Sequence, residues 1–538
     1  MRAQTRLGAW QRIALIGALA SLVATACGGG KKGTSSATTT PRSGAATSQP
    51  SDVDPAGVLK IGLDLRPGQP SLVYDPIKML TPAYQWQLAV YDTLLRAQTD
   101  GTLTPGLAKS ATVVDPQTIT VELNPGIKFS DGTPLDADAV KFSILRNVAS
   151  KNAAAFGSEL QQVDTITVSS PTSLTIHLKT PVAGVFYTFL ARGETAVVSP
   201  TAVNSGVDLS THPVGAGPFM VQSIVPEVMV RMVKNPTYFQ ADQVKLAGID
   251  YINVLLDGQA TAMKSGAVDA IDNLQIVTAN QIPGAGLTVK TAQSDSIQVW
   301  SPLCKKNPPL SDVRVRQALN YGIDRDAINN VVFGGKSSPL WGLFGTNNPL
   351  YDPTLKDYYK YDVAKAKQLL TAAGYPNGFK LTFLTTPGDS QKVSEIVQQQ
   401  WKQIGVDLTL QVSTNIVSDF FTPGKPPLQP GYFFPLQRAG LDKITRSFLL
   451  GGSGNVCDWN DPDLVALVDK VRAVSPASPE AKALWAQIQE NVFQKALNVF
   501  VVFGEASNAY DDKVGNPSFT LNFQGLPYLD VLRIYKKR

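Results

Sequence analysis

The chain has 538 residues, room for two to four domains at roughly 100 to 200 residues each, which excludes small disulfide scaffolds and single-motif modules. With 43% apolar, 17% charged and 8% aromatic residues, it has the composition of a folded globular body rather than a disordered or fibrous chain. The formal charge is +5, but Arg2, Arg6 and Arg12 all precede the first cysteine, so a chain beginning there carries +2, too little to make nucleic acid or acidic lipid the main partner.

Those arginines are followed by an uncharged stretch, Ile13 to Ala26, that ends in small side chains. It is too short for a helix crossing a hydrocarbon layer of about 30 Å and reads as an export signal over residues 1–26. Its end, Ala24-Thr25-Ala26-Cys27-Gly28, resembles a bacterial lipobox, although Ala24 stands where leucine is usual. That resemblance implies a diacylglyceryl thioether on Cys27, and two acyl chains suffice for stable anchoring. An ordinary cleaved signal with an incidental cysteine is the alternative. Residues 27–57 are rich in Gly, Ser, Thr, Ala and Pro and almost devoid of large apolar side chains, which predicts a flexible tether with an r.m.s. reach of ~30 Å. Besides Cys27 there are only Cys304 and Cys457, compatible in an exported protein with one disulfide or with two buried thiols. No CxxC spacing supports zinc or redox chemistry.

From residue 58 the pattern alternates between strands and helices. Leu59, Ile61, Leu63 and Leu65 recur with the period of a half-buried strand. Thr118–Leu123 and Thr172–Leu178 show the same alternation after proline-containing turns, and between them Val140, Ile144 and Val148 predict a helix capped by Asp136 or Asp138. Residues 313–332 predict a helix pair broken near Asp324. Asp362 caps a further helix that ends at Gly374, Leu381 and Phe383 fall in a strand, Ile396–Ile404 form a helix, and Val406–Val412 alternate as a strand. This βα succession indicates an α/β domain.

Five blocks carry a resemblance: Leu123–Phe142 (LNPGIKFSDGTPLDADAVKF), Pro213–Val221 with Lys234–Phe239, Pro308–Ile328 (PPLSDVRVRQALNYGIDRDAI), Tyr361–Phe383, and Trp401–Leu410. In order and spacing they closely resemble the peptide/nickel branch of the extracellular solute-binding proteins of ABC importers. The resemblance implies an α/β, two-lobed periplasmic-binding-protein-like fold of the class II type with an additional small inserted β-rich domain. Carried onto this chain, the first lobe takes residues 58–97, 206–298 and the C-terminal strands 497–538. The inserted domain takes 98–205 and the second lobe 299–496.

The blocks themselves read as scaffold. Lys128–Gly132 suit a turn leading into a capped helix, and Gly215 and Gly217 a tight backbone beside a strand. Gly-Gly-Lys-Ser at 334–337 is not a phosphate loop, because the Walker spacing requires glycine at 330, where Asn330 stands. His177 and His212 are the only histidines, and His177 falls on the strand face opposite Leu174, Ile176 and Leu178. Neither a catalytic triad nor a metal cluster is indicated, so no enzyme activity, metal or cofactor is expected.

In peptide-binding members of the family the second lobe offers an acidic residue to the peptide's amino terminus. The matching stretch here is Gln437–Leu449, where the aligned position falls on Leu441 and a one-residue gap brings in Asp442, with Arg438 or Gln437 where an aromatic is usual. Otherwise Asp442 is a solvated loop carboxylate. Trp300 and Phe156 fall where the family places aromatics lining the cleft, with ordinary core as the alternative, and Thr81 and Tyr84 follow the first strand. The resemblance thus implies a monomeric, lipid-anchored protein on the extracytoplasmic (periplasmic) face of a bacterial membrane. It would capture a short peptide and pass it to ABC permease subunits. A sugar, a metal chelate or another small solute in the same fold, or a lipoprotein sensor or surface interaction factor without transport, is the alternative.

Overall fold

The computed structural model describes residues 51–538 apart from 66–73, 79–83, 99–101, 151–159, 275, 346–347, 349, 422–425, 438–439, 451–453, 475–477 and 522–526. The stretch expected to be an export signal and Cys27 lie outside the described residues. Residues 52–54, at the end of the expected tether, dock on the folded body. Val53 is buried and bridges to Lys537, the Asp54 amide donates to the Lys536 carbonyl at 2.8 Å, and the Arg538 amide donates to the Asp52 carbonyl at 3.0 Å. One apolar side chain and a short ladder to the C-terminal strand are enough to dock this stretch on the body.

The chain opens with β1 (Val58–Leu63), whose Leu59 and Ile61 enter the core as the alternation predicts. A helix, Tyr84–Tyr91, and a hairpin of β2 (Leu95–Ala97) and β3 (Leu103–Pro105) follow. Next come β4 (Ala108–Asp115), β5 (Thr118–Leu123), β6 (Val163–Ser170) and β7 (Ser173–Leu178), an antiparallel sheet in the order β4-β5-β7-β6. Its inner face, with Ile119, Val121, Leu174 and Ile176, packs on Val140 and Ile144 of the helix Ala137–Val148 in a core that Leu94, Leu95 and Ala216 also enter. The Asp136 carboxylate caps that helix at the Ala139 amide, 2.9 Å away. His177 is exposed and lies 3.7 Å from Asp164.

The chain then returns to the first sheet with β8 (Phe219–Val225), β9 (Met229–Lys234), β10 (Gly248–Asn253) and β11 (Ala270–Leu274). It leaves along β12 (Leu287–Pro302), builds a second lobe around the parallel pair β13 (Phe379–Thr385) and β14 (Val406–Val412), and re-enters through β15 (Phe434–Gln437) and β16 (Asn498–Asp511). The large sheet runs β15-β12-β16-β11-β1-β10-β9-β8, with β1 parallel to both neighbours. Gly215 and Gly217 do sit in a tight approach, but against the C-terminal turn of the helix Tyr84–Tyr91 rather than a strand: a Cβ on either would lie 2.3–2.6 Å from carbonyl oxygens at Ala89 and Val90.

Helix starts in the second lobe follow the expected chemistry. Asp324 breaks Val313–Tyr321 from Arg325–Phe333 and caps the latter at the Ala327 amide, and Asp362 caps Val363–Ala372 at the Lys365 amide. Gly334 closes Arg325–Phe333 in the left-handed region, so the Gly-Gly-Lys-Ser run ends a helix instead of opening one. The helix expected from Ile396 begins earlier, at Asp389, because Ser390, Val393 and Ser394 extend its buried face by two turns.

Candidate ligand cleft

Two strands join the lobes. β12 and β16 hold 16 and 14 residues, about 50 Å of extended chain at roughly 3.3 Å each, and pair antiparallel along nearly their whole length. At one end Tyr510 belongs to the core under β1, and at the other Trp300, Phe500 and Phe503 belong to the core of the second lobe. The pairing slips between Ser294 and Gln298 and again between Val299 and Trp300. Such bulges bend a ladder locally; the first lies in the stretch between the two cores and the second at the edge of the second lobe's core.

Across from these strands, the second lobe meets the small domain. The helix Gly440–Phe448 presents Arg446, 4.0 Å from the Glu194 carboxylate. Glu194 stands in the turn Gly193–Thr195, where Arg192 donates to its Oε1 at 2.6 Å while its own guanidinium lies 3.9 Å over the Phe189 ring. Asn147, on the helix Ala137–Val148, donates its side-chain amide to the Glu194 carbonyl. Beside this group Val185 packs on the aromatic core of the second lobe. All three charged side chains are at most 7% exposed, so their mutual attraction acts in a poorly screened setting.

The first lobe contributes a second fixed point. Asp75 accepts two hydrogen bonds of 2.7 Å from Arg146, a bidentate pair that ties the segment after β1 to the small domain. Next to it Tyr74 and Trp86 are in ring contact at 3.9 Å, and Tyr91 is fully enclosed. Tyr74 Oη, Tyr91 Oη and Trp86 Nε1 are buried without a hydrogen-bond partner, and burial pushes both phenols above their ordinary range.

Residues 102–421 match the family described as bacterial extracellular solute-binding proteins, family 5 Middle. The chain belongs to that family.

Among relatives of this solute-binding protein, the glutathione-binding protein GsiB of Shigella flexneri is 32% identical over 305 residues, which are 56% of this chain and 59% of GsiB. The match thus spans less than two thirds of the curated relative. The structure of the binding protein AgaA from A. tumefacien R10, in complex with agropinic acid, aligns with a TM-score of 0.77 at 25% identity, covering 90% of this chain and 98% of AgaA. DppA from Helicobacter pylori, in complex with the peptide STSA, aligns with a TM-score of 0.76 at 21% identity over 90% of this chain and 99% of DppA. The fold is therefore the two-lobed α/β arrangement that the five sequence blocks imply.

The solute-binding protein places its sequence-predicted site residues unevenly. Trp300 is 1% exposed, wedged edge-to-face between Phe448 and Phe500. In this conformation it is core beneath the second lobe and shows no face to a solute, because the helix Gly440–Phe448 covers it. Asp442 is the third residue of that same helix, and its side chain lies outside those described. Tyr84 opens the helix after β1, again without a described side chain. Thr81, Phe156 and Arg438 lie outside the described residues. Cys304 and Cys457 are joined in a disulfide with Cα atoms 4.5 Å apart, fastening the end of β12 to the loop before the helix Pro462–Ala473. Sequence reasoning missed Arg192, Glu194 and Arg446. The only available signal was the run Ala191-Arg192-Gly193-Glu194, two opposite charges inside an apolar stretch.

Proposed function

We propose that this protein captures a short peptide in the cleft between its lobes and delivers it to an ABC permease, held at the outer face of a bacterial membrane through a lipid on Cys27. The observation that carries the reading is the pairing of a two-strand hinge with a buried charge contact on its far side. β12 and β16 pair along nearly their whole length with two register slips, and Arg446 lies 4.0 Å from Glu194 on the far side; in this reading the slips are the hinge and the contact belongs to the closed cleft. A solute that touches both lobes shifts the population toward this closed form, the form a permease can distinguish from the empty one. Reversible capture needs no bond-breaking group.

Peptide is favoured among solutes by the five sequence blocks and by the names of relatives that bind glutathione and the peptide STSA. Asp442 then serves as anchor for the peptide ammonium, with Arg438, Phe156, Thr81 and Tyr84 around the remainder. Native mass spectrometry of the freshly purified protein, followed by thermal melting with peptide pools, sugars and metal chelates, tests this. A retained peptide or a peptide-specific rise in melting temperature is expected from linkage. A rise with sugars alone, or with no solute of any class, overturns the peptide reading.

A further inference from the structure

A cavity of about 270 Å³, away from the second lobe, lies where the end of the helix Tyr84–Tyr91, the β2–β3 hairpin, Ala191 of the small domain, Gln240 and the C-terminal segment Tyr528–Arg533 meet. None of its lining residues belongs to the second lobe, so it exists whether the cleft is open or closed. Its lining includes the apolar side chains of Leu88, Ala97, Pro105, Pro218, Val531 and Leu532. It also includes two carboxylates, Asp92 and Asp530, and they differ. Asp92 is saturated: Arg96 donates to it through Nε and Nη2 at 3.1 and 2.5 Å, Tyr238 through Oη at 2.8 Å, and the Thr93 amide at 2.8 Å. Arg96 is also consumed, since it donates to Gln240 and Tyr238 besides.

Asp530 is 9% exposed yet held by much less. Its Oδ1 accepts the Leu532 amide at 3.1 Å, and its Oδ2 lies 3.4 Å from Nε of Arg533, a half-exposed partner with which no hydrogen bond is aligned. A carboxylate this deeply placed ordinarily takes two or three donors. We propose that this cavity is a binding site for a small primary ammonium ion with an apolar stem, its nitrogen donating to Asp530 and its stem lying on the apolar side chains. An anion would meet Asp530 and an arginine already engaged by Asp92, and a neutral alkane would leave the carboxylate bare. The raised pKa of Asp530, caused first by burial, agrees with a carboxylate short of donors. The volume lies below the usual range for drug-sized ligands, which limits the guest to roughly the size of an amino acid.

The probe is n-pentylammonium chloride, titrated into the purified protein at constant ionic strength by ligand-observed NMR and thermal melting, with n-pentanol and pentanoate as controls of equal length. Saturable binding of n-pentylammonium is expected, with n-pentanol at least about tenfold weaker and pentanoate absent. Asp530→Asn should keep the Leu532 contact and the fold while weakening the ammonium about tenfold or more. Ala97→Leu, which fills the cavity without touching a charge, should abolish binding even if Asp530→Asn folds poorly. Equal binding by Asp530→Asn and Ala97→Leu, equal binding of the three probes, or no saturable binding of n-pentylammonium overturns the proposal. Because no second-lobe residue lines the cavity, each result is independent of whether the cleft takes peptides.

Discussion

The guanidinium of Arg446 lies 4.0 Å from the Glu194 carboxylate with both side chains at most 4% exposed, although one belongs to the second lobe and the other to the small domain. Glu194 is also held by Arg192, 2.6 Å away on its own side, so separating the two parts would not leave the carboxylate bare. The contact therefore biases closure without being needed for folding of either part. Removing one partner of a fully buried pair costs about 3–5 kcal/mol, and the partner that remains here keeps the loss smaller, about 1–2 kcal/mol. Arg446→Gln should thus weaken cargo binding roughly tenfold and raise the radius of gyration of the loaded protein toward the empty value in small-angle scattering. Parent-like affinity and scattering would show that the contact has no part in closure.

Glu194→Gln makes a sharper version of the same test. It leaves Arg192 and Arg446 close together, both buried, without the carboxylate that separates their charges. The variant should melt lower than Arg446→Gln and favour the open form more strongly. Their double variant should be less affected than the two single effects added, because the repulsion needs both residues.

The disulfide closes a loop of 153 residues, and in the chain-entropy account a loop of that length adds up to about 4–5 kcal/mol less any strain. Cys304 and Cys457 sit in the same aromatic core as Trp459 and Trp300, so the bond secures the second lobe internally and does not cross the cleft. Replacing both cysteines with alanine should lower the melting temperature by several degrees while cargo affinity stays within about twofold. A large loss of affinity at unchanged melting temperature would instead place the bond in the closing motion.

Asp272 provides a pH dependence with a definite sign. It is buried on β11 and among the described residues accepts only the Leu529 amide, at 3.3 Å, and burial raises its pKa from 3.8 to about 7. The folded state therefore holds a proton here that the unfolded state releases above about pH 4, so this group's contribution to stability falls as pH rises from about 4 to 7 and is level above that. Asp272→Asn keeps the acceptor for Leu529 and removes the titration. Its melting temperature should exceed the parent's by a margin that is near zero at pH 4, grows through pH 7 and then stays constant. A margin independent of pH would mean that the carboxylate is ionised throughout.

Much of the scaffold was legible because local chemistry dictates it. Asp136, Asp324 and Asp362 each precede a run of apolar residues at helical spacing, and each caps the helix it announces. The hinge was not legible. β12 runs through Thr291-Ala292-Gln293-Ser294-Asp295-Ser296, where polar residues break the alternation, and its pairing with β16 alone makes it one strand. The charge contact was hidden for a different reason. Glu194 and Arg446 lie far apart in the chain and meet only through tertiary packing, which no local pattern encodes. Trp300 shows the limit of aligning a family position: its place in the chain suited a cleft wall, but the helix Gly440–Phe448 lies over it.

That helix also bears Asp442, and its role in the proposed peptide site can be isolated with a chemical partner. A buried hydrogen bond between a carboxylate and an ammonium is worth about 1.5–3 kcal/mol, a factor of roughly ten to one hundred in affinity. If Asp442 receives the peptide's amino terminus, Asp442→Ala should weaken a free-amine peptide by that factor. N-acetylation of the same peptide should weaken binding to the parent by a similar amount and make little further difference to the variant, since the interaction is already gone. Calorimetric titration of the four combinations gives the coupling directly. Additive losses would assign Asp442 to the packing of the helix Gly440–Phe448 and leave the ammonium to another acceptor.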